Sequence, residues 1–190
     1  MNYGNYVDEI TFYIKYWNSN TCCFAGHKPC NLPWGFNEED ERCLEMKKVL
    51  KKEIIKAIED GYINFITGMS IGFDMICAET VLELKKEYPN IKLIGALPCR
   101  HQDKMWTDDD RLRYRSIITE LDKVRCIHDK YISNECMLER NRYMVNSSSL
   151  VIALYNGITG ETKYTLDYAK NKGVKCVIIQ TEVPQKYKKK

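Results

Sequence analysis

The chain has 190 residues, a length that matches one domain and is enough to bury a substantial core. Its 29 basic and 26 acidic residues leave a formal net charge of only +3, and no basic stripe interleaved with aromatic residues crosses the body of the chain, so we expect no nucleic-acid partner. No apolar run approaches the roughly 18 residues that a membrane-spanning helix needs, and no membrane partner is expected either.

Residues 1–18 are rich in aromatic side chains but have no clean hydrophobic period. A leading strand, a short helix and a contact within a homo-oligomer all fit this segment, and the sequence leaves these alternatives open. We therefore divide the chain into an N-terminal extension of unknown role (1–18), a folded domain (19–182) and a basic, flexible tail (183–190).

Short apolar runs alternate with amphipathic runs from residue 21 onward. The short runs predict strands, at 21–26, 62–67, 91–97, 123–128, 150–155 and 174–179. The run 62–67 suits a parallel strand that is covered on both faces, whereas the run 123–128 predicts a weaker strand. The amphipathic runs predict helices at 38–60, 73–84, 107–121 and 133–147, and a last helix that continues through Ala169. Strands that alternate with helices form parallel βαβ units. The sequence therefore predicts a single α/β domain, a doubly wound, three-layer sandwich with a mainly parallel sheet.

One of the predicted helices, at 38–60, shows its apolar side most clearly. Six apolar residues are predicted to form the stripe that packs on the sheet, namely Leu44, Val49, Leu50, Ile54, Ala57 and Ile58. Acidic residues in the first turns of this helix and Gly61 after its end fit the expected start and stop signals.

A glycine-bearing turn separates the second predicted strand from its helix. Glycine lets the backbone pass close to a ligand, and a helix N-terminus presents unpaired N–H groups and a partial positive charge. We therefore predict that Gly68, Met69, Ser70 and Gly72 bind an anionic ligand, with Gly72 in contact with a phosphate or a ribose. The alternative is that the glycines serve only the turn and the packing of the helix on the strand. Asp74, in the first helical turn, could accept hydrogen bonds from ribose hydroxyls or cap the helix.

Other polar residues are predicted to join this site, because the carboxyl ends of parallel strands share one edge of the sheet and ligands bind there. Lys28 could meet a phosphate, whereas a turn histidine such as His27 is usually only solvated. Arg140 and Asn141 lie in the middle of a helix, where an arginine fork suits phosphate but a surface salt bridge is equally compatible. The predicted ligand-binding residues are Gly26, His27, Lys28, Gly68, Met69, Ser70, Gly72, Asp74, Pro98, Arg140, Asn141, Asn156, Gly157, Gly160 and Thr162.

Aromatic and metal-binding roles are less favoured by the sequence. Trp106 and Tyr114 are expected to be packing aromatics, with stacking of Trp106 on a base as the alternative. His27 and Cys30 have the spacing of a metal-ligand pair, but no second pair accompanies them, so no metal is expected. The chain has nine cysteines and no apolar signal segment in residues 1–9, so we expect a cytoplasmic protein with reduced thiols.

Several separated turns agree, in order, with one known family. They are AGHKP at 25–29, TGMSIGFD at 67–74, LP at 97–98, QDKMW at 102–106, RN at 140–141 and YNGITG at 155–160. Together these turns resemble the YpsA-like family of the SLOG superfamily of Rossmann-like proteins, over about residues 20 to 180. The resemblance implies that the strand-end loops bind a nucleotide or a derivative, such as ADP-ribose, NAD or a mononucleotide, with the family's glycine and acidic positions at Gly72 and Asp74. The resemblance implies no settled reaction and no further cofactor. Binding of such a ligand by a sensor, sequestering or regulatory protein is the first of the functions that the sequence leaves open.

The wider superfamily also includes phosphoribohydrolases, whose glycine-rich turn ends in a threonine followed by a catalytic glutamate. In this chain Thr165 stands where that glutamate is expected. Asp74 and Glu161 are the weak candidates for catalytic residues, and a glutamate at a helix start is more often a partner of the helix dipole. The sequence therefore favours binding over hydrolysis of an N-glycosidic bond. A regulator that binds a protein partner through its aromatic N-terminus is the third alternative.

Overall fold

The computed structural model describes residues 3–184 and 187, with side chains from residue 10 onward. Its helices are α1 (Tyr3–Ser19), α2 (Glu41–Glu59), α3 (Phe73–Leu84), α4 (Asp108–Thr119), α5 (Glu135–Asn146) and α6 (Glu161–Asn171), with a short 3-10 turn at Pro29–Asn31. Its strands are β1 (Thr21–Ala25), β2 (Asn64–Thr67), β3 (Lys92–Cys99), β4 (Lys123–His128), β5 (Leu150–Tyr155) and β6 (Lys175–Gln180).

The described strands form one parallel sheet in the order β4-β3-β2-β1-β5-β6. At its centre, Cys23 of β1 lies opposite Ile66 of β2 on one side and Val151 of β5 on the other. The chain moves outward from β1 to β4 and then returns to β5 on the other side of β1. The strand order therefore reverses between β1 and β5, which is the place where open parallel sheets bind ligands.

The two faces of the sheet carry separate cores, because successive strand residues point to opposite sides. Cys22 and Phe24 of β1 belong to the core beneath α2, α3 and α4. Cys23 and Ala25 belong to the core beneath α5 and α6. Burial raises the pKa of the Cys23 thiol to about 12, so this thiol acts as a small apolar side chain. The prediction of a doubly wound, three-layer α/β fold is confirmed.

The apolar stripe of α2 lies at a different position from the predicted one. Leu44 and Val49 are 39% and 36% exposed, so their assignment to the buried side is wrong. The buried residues of α2 are Cys43, Met46, Leu50, Ile54 and Ala57. Cys43 and Met46 set this register, and Leu44 is turned from Cys43 by about 100° around the helix axis. The helix begins at Asp40, whose side chain accepts a hydrogen bond from the Arg42 N–H (2.9 Å).

The N-terminal segment that the sequence left undecided forms α1. Trp17, near its end, packs against the core beneath α5 and α6, whereas Phe12, Tyr13 and Tyr16 are more than half exposed. A partner for this exposed face stays a prediction, as does the division of the chain at residue 18. The predicted flexible tail lies largely outside the described residues.

Two features of the described residues concern the membrane and metal predictions. No helix within 3–184 is long and apolar enough to cross a membrane. The same part of the chain contains no group of three or more His, Cys, Asp or Glu side chains that could hold a metal ion. The cytoplasmic location stays a prediction.

Candidate functional site

A cavity of about 390 Å³ opens beyond the carboxyl ends of the central strands, beside the reversal of the strand order. We call it the rim cavity. Its volume falls within the range of roughly 300–1,000 Å³ that is typical of small-molecule sites. Its walls come from the turn after β1, the start of α3, the middle of α5 and the start of α6. The lining residues are Phe24, Ala25, Gly26, His27, Lys28, Cys30, Asn31, Ser70, Ile71, Asp74, Arg140, Asn141, Thr159, Gly160, Glu161, Thr162 and Thr165.

The rim cavity brings together part of the residue set that the sequence singled out. The predicted binding residues that line it are Gly26, His27, Lys28, Ser70, Asp74, Arg140, Asn141, Gly160 and Thr162, and the catalytic candidate Glu161 lines it too. The predicted residues that do not line it are Gly68, Met69, Gly72, Pro98, Asn156 and Gly157. Sequence reasoning missed several lining residues, notably Asn31, which is an ordinary loop residue, and Thr159, which lies inside the turn at 155–160 between residues that were singled out.

Arg140 and Asp74 form an ion pair at the base of the cavity. Their side chains are only 4% and 10% exposed, and Nη1 of Arg140 lies 3.3 Å from Oδ2 of Asp74. Ser70 joins them, since its N–H donates to Oδ2 of Asp74 and its Oγ accepts from Nη2 of Arg140, both at 3.3 Å. Burial raises the pKa of the Asp74 carboxyl, and the Arg140 guanidinium opposes that rise. Arg140 therefore makes a buried ion pair rather than a surface one.

One donor of Arg140 stays unused. The Nε atom of Arg140 is buried and has no hydrogen-bond partner among the described residues. A buried donor that finds no partner costs about 1–3 kcal/mol, so the folded chain carries a cost at this place.

The glycines of the β2–α3 turn serve contacts within the protein. An added Cβ on Gly68 would fall 1.3 Å from Nη1 of Arg140, so only glycine leaves room for the guanidinium. Gly72 has a φ of +99°, and a Cβ there would lie 2.9 Å from the carbonyl oxygen of His27 and from Cδ of Pro29. This turn is thus packed against the turn after β1. Contact of Gly72 with a ligand stays a prediction.

His27 is buried (6% exposed) and held in one tautomer by its neighbours. The Asn156 N–H donates to Nε2 of His27 (3.4 Å), so the ring proton must sit on Nδ1. Nδ1 lies 3.4 Å from Oγ1 of Thr162, whose own hydroxyl donates to the carbonyl oxygen of Gly26 (3.0 Å). Burial lowers the pKa of His27, which keeps the ring neutral. His27 therefore ties the turn after β1 to the start of α6.

The turn after β5 is also fixed from within. The Asn156 side chain accepts from the Ile158 N–H (3.1 Å) and donates to the carbonyl oxygen of Asn31 (2.8 Å), so it braces two of the cavity walls. Gly157 and Gly160 have φ values of +84° and +147°, which other residues rarely adopt. Asn156 and Gly157 thus shape the cavity from behind its lining.

The start of α6 faces the cavity without a capping side chain. Its N-cap residue is Gly160, and no side chain accepts from the first-turn N–H groups there. At α2 and α4, by contrast, Asp40 and Thr107 supply that cap. An uncapped N-terminus keeps donors and a partial positive charge available to an anion.

The charged side chains of the lining balance one another. Lys28 and Glu161 face each other across the mouth at 3.7 Å, with side chains 52% and 40% exposed, so their attraction is weak. Arg140 and Asp74 neutralise each other at the base. Thr165 lines the cavity at the position where a glutamate would stand in a phosphoribohydrolase, and its hydroxyl donates to the carbonyl oxygen of Glu161 (2.8 Å). The N-terminus of α6 adds a partial positive charge to this balanced lining.

A parallel sheet in this order, with a ligand-sized cavity at the reversal point, defines a Rossmann-like domain. The sequence model described as the YspA SLOG family (YpsA) matches residues 22–182, and the chain belongs to that family. A UPF0398 protein of Bacillus cereus is 33% identical over 152 residues, which cover 78% of this chain and 82% of that protein. A UPF0398 protein of Brevibacillus brevis is 31% identical over 122 residues, which cover 64% of this chain and 65% of the relative. The resemblance deduced from the separated turns is confirmed.

Two solved structures share the fold at low sequence identity. DNA processing protein A of Helicobacter pylori matches with a TM-score of 0.58 and 16% identity, over 85% of this chain and 65% of that protein. DNA processing protein A of Streptococcus pneumoniae matches with a TM-score of 0.56 and 13% identity, over 87% of this chain and 51% of that protein. This chain therefore spans less than two thirds of either protein.

These neighbours correct one expectation from the sequence. The Helicobacter pylori structure is described as showing a single-stranded DNA binding mode, so a chain with this fold can bind nucleic acid. The expectation that nucleic acid is excluded is wrong. It rested on the net charge, which averages over the whole surface and does not describe one groove or cavity.

Proposed function

We propose that this protein binds a nucleotide or a nucleotide derivative in the rim cavity and acts as a sensor, sequestering or regulatory protein. The observation that carries the proposal is the uncapped start of α6, with Gly160 as its N-cap, in the wall of a ligand-sized cavity at the reversal of strand order. A phosphate placed there would accept hydrogen bonds from the first-turn N–H groups of α6. Lys28, at the mouth, would add a charged contact.

The base of the cavity suits a hydroxyl-bearing group. Asp74 is acceptor-only when ionised, and Ser70 and Asn141 line the same cavity. A ribose could donate its hydroxyls to this carboxylate. Such contacts would favour a sugar phosphate over inorganic phosphate.

Binding without turnover fits the carboxylates better than hydrolysis does. Asp74 is held by Arg140 and Ser70, and Glu161 is partly exposed and lies opposite Lys28. Thr165 places a hydroxyl, already bonded within α6, where a catalytic glutamate would be needed. Hydrolysis of an N-glycosidic bond is therefore the alternative that a turnover assay with adenosine 5′-monophosphate would test.

The proposal is tested by calorimetric titration of adenosine 5′-monophosphate, ADP-ribose and NAD. We expect at least one of them to bind, and Lys28→Gln to weaken that binding several-fold at low salt, with less effect as salt screens the contact. Lys163→Gln is the matched control, because Lys163 lies on α6, pairs with Asp167 and does not line the cavity. Absence of binding at millimolar ligand, or equal effects of the two substitutions, would contradict the proposal.

A second candidate is binding of a nucleotide within single-stranded DNA, favoured by the fold shared with the Helicobacter pylori protein. Fluorescence anisotropy with a labelled oligonucleotide tests it at two salt concentrations, since contacts with several phosphates make the affinity fall steeply with salt. Competition by adenosine 5′-monophosphate would place the oligonucleotide in the rim cavity. Oligonucleotide binding without competition would place it on another surface.

A further inference from the structure

A second cavity, of about 240 Å³, adjoins the rim cavity. We call it the aromatic cavity. We propose that it binds the heteroaromatic base of a nucleotide whose phosphate occupies the rim cavity. This inference rests on the proposed function and adds the part of the ligand that the rim cavity does not explain.

The two cavities are contiguous. They share four lining residues, namely Lys28, Cys30, Ser70 and Ile71, which come from the turns after β1 and β2. A ligand that entered both would cross these shared residues and would be anchored at two ends. One molecule with a polar and an apolar half is therefore the simplest occupant.

The aromatic cavity differs from the rim cavity in the chemistry of its walls. Phe36 and Trp106 contribute aromatic rings, and Pro29, Ile71 and Met137 contribute apolar contacts. Among the residues that the structure describes, neither an acidic side chain nor an arginine lines it, whereas the rim cavity has Asp74, Glu161 and Arg140. A flat, weakly polar ring fits such walls, because aromatic rings and thioethers interact well with π faces.

The two aromatic residues are held differently. Trp106 is partly buried, and its ring meets that of Tyr114 edge to face at a centroid distance of 5.2 Å, so it is a fixed wall. Phe36 is 70% exposed at the tip of the loop after the 3-10 turn, where its side chain is accessible to a ligand. The loop is anchored by hydrogen bonds on both sides of Phe36. The Gly35 N–H donates to the carbonyl oxygen of Leu32 (3.1 Å), and the Asn37 N–H donates to the carbonyl oxygen of Trp34 (3.1 Å).

The aromatic cavity also contains a polar group that could orient a base. Gln102 lines it, and its Nε2 donates to the carbonyl oxygen of Met69 (2.9 Å). This bond fixes the orientation of the amide relative to the cavity. Bases carry donors and acceptors on their edges, so a fixed amide beside apolar walls suits a base better than it suits an aliphatic chain.

The test compares ligands with and without a base on the intact protein. Adenosine 5′-monophosphate and ribose 5-phosphate are titrated calorimetrically into the wild type, Phe36→Ala, Trp106→Leu and the control Phe12→Ala. Phe36 and Phe12 are both strongly exposed aromatics, 70% and 66%, so neither substitution should unfold the chain. We expect the wild type to bind the nucleotide about tenfold or more tightly than the sugar phosphate, which is the usual gain from stacking a base on an aromatic side chain.

The variants separate this inference from the proposed function. Phe36→Ala and Trp106→Leu should lose most of the preference for the nucleotide and keep the affinity for ribose 5-phosphate, while Phe12→Ala should change neither. If both ligands bind equally to the wild type, the inference fails and the proposed function stands. If neither ligand binds, both fail. Oligonucleotide binding that depends on Phe36, without binding of the mononucleotide, would replace the small ligand with single-stranded DNA and overturn the inference.

Discussion

Replacing Gly68 by alanine should break the buried ion pair behind the β2–α3 turn. The added Cβ would lie 1.3 Å from Nη1 of Arg140 and 2.7 Å from Oδ2 of Asp74. Gly68 is not among the described glycines with a positive φ, so the methyl group adds no backbone strain of that kind. The substitution therefore acts by displacing the guanidinium.

The size of the effect follows from the burial of the pair. The Asp74 side chain is only 10% exposed, and displacement of Arg140 would remove its charged partner and leave it the Ser70 N–H. Loss of one partner of a buried ion pair costs about 3–5 kcal/mol. We expect Gly68→Ala to lower the free energy of unfolding by that amount, which is large against the roughly 5–15 kcal/mol that stabilise a typical domain.

Urea denaturation of Gly68→Ala, Arg140→Leu and the double variant tests this mechanism. If the methyl group acts by displacing Arg140, it has room once the guanidinium is gone, so the double variant should be about as stable as Arg140→Leu alone. Losses that add within about 0.5 kcal/mol would refute the reasoning, because additivity indicates independent sites. A small effect of Gly68→Ala alone would refute it as well.

Further predictions concern the neighbouring turns. Gly72→Ala should lower the free energy of unfolding by about 1–3 kcal/mol in urea melts, because φ is +99° and the Cβ would meet the backbone after β1. Burial lowers the pKa of His27 in the folded chain. The contribution of neutral His27 to the free energy of unfolding should therefore be fully present above the unfolded histidine pKa of about 6.5 and be lost as the pH falls below it. In urea melts from pH 7 to 5, His27→Gln should reduce the slope of the free energy of unfolding against pH. The control His101→Gln, which replaces an exposed histidine, should leave this slope unchanged. An unchanged slope in His27→Gln would contradict the lowered pKa of the buried His27.

The fold could be predicted because most strands are short and apolar and are followed by a glycine or polar turn. The exception is β4 at the sheet edge, where Lys123 and Arg125 are exposed. The limits of β4 and β5, at Lys123–His128 and Leu150–Tyr155, match the prediction at both ends. The stripe of α2 was misplaced because cysteine and methionine were not counted with the aliphatic residues, and Cys43 and Met46 set its register. The α1 segment was undecided because its aromatic residues are mostly exposed and so leave no hydrophobic period.

The candidate site could be predicted only where a turn carried a recognisable pattern. Gly68 was singled out, but its role depends on Arg140, which is 72 positions later in the chain, and no local pattern connects the two. The aromatic cavity could not be predicted from the sequence for the same reason, since Phe36, Trp106 and Met137 come from three separate segments. Tertiary packing, rather than local propensity, brings these residues together.

A crystal structure of the protein with adenosine 5′-monophosphate tests the central claim most directly. We expect the phosphate at the start of α6 beside Lys28, the ribose near Asp74, and the base in the aromatic cavity against Trp106. A nucleotide bound on another surface, or a rim cavity that stays empty at a ligand concentration that saturates binding in solution, would contradict the proposed site.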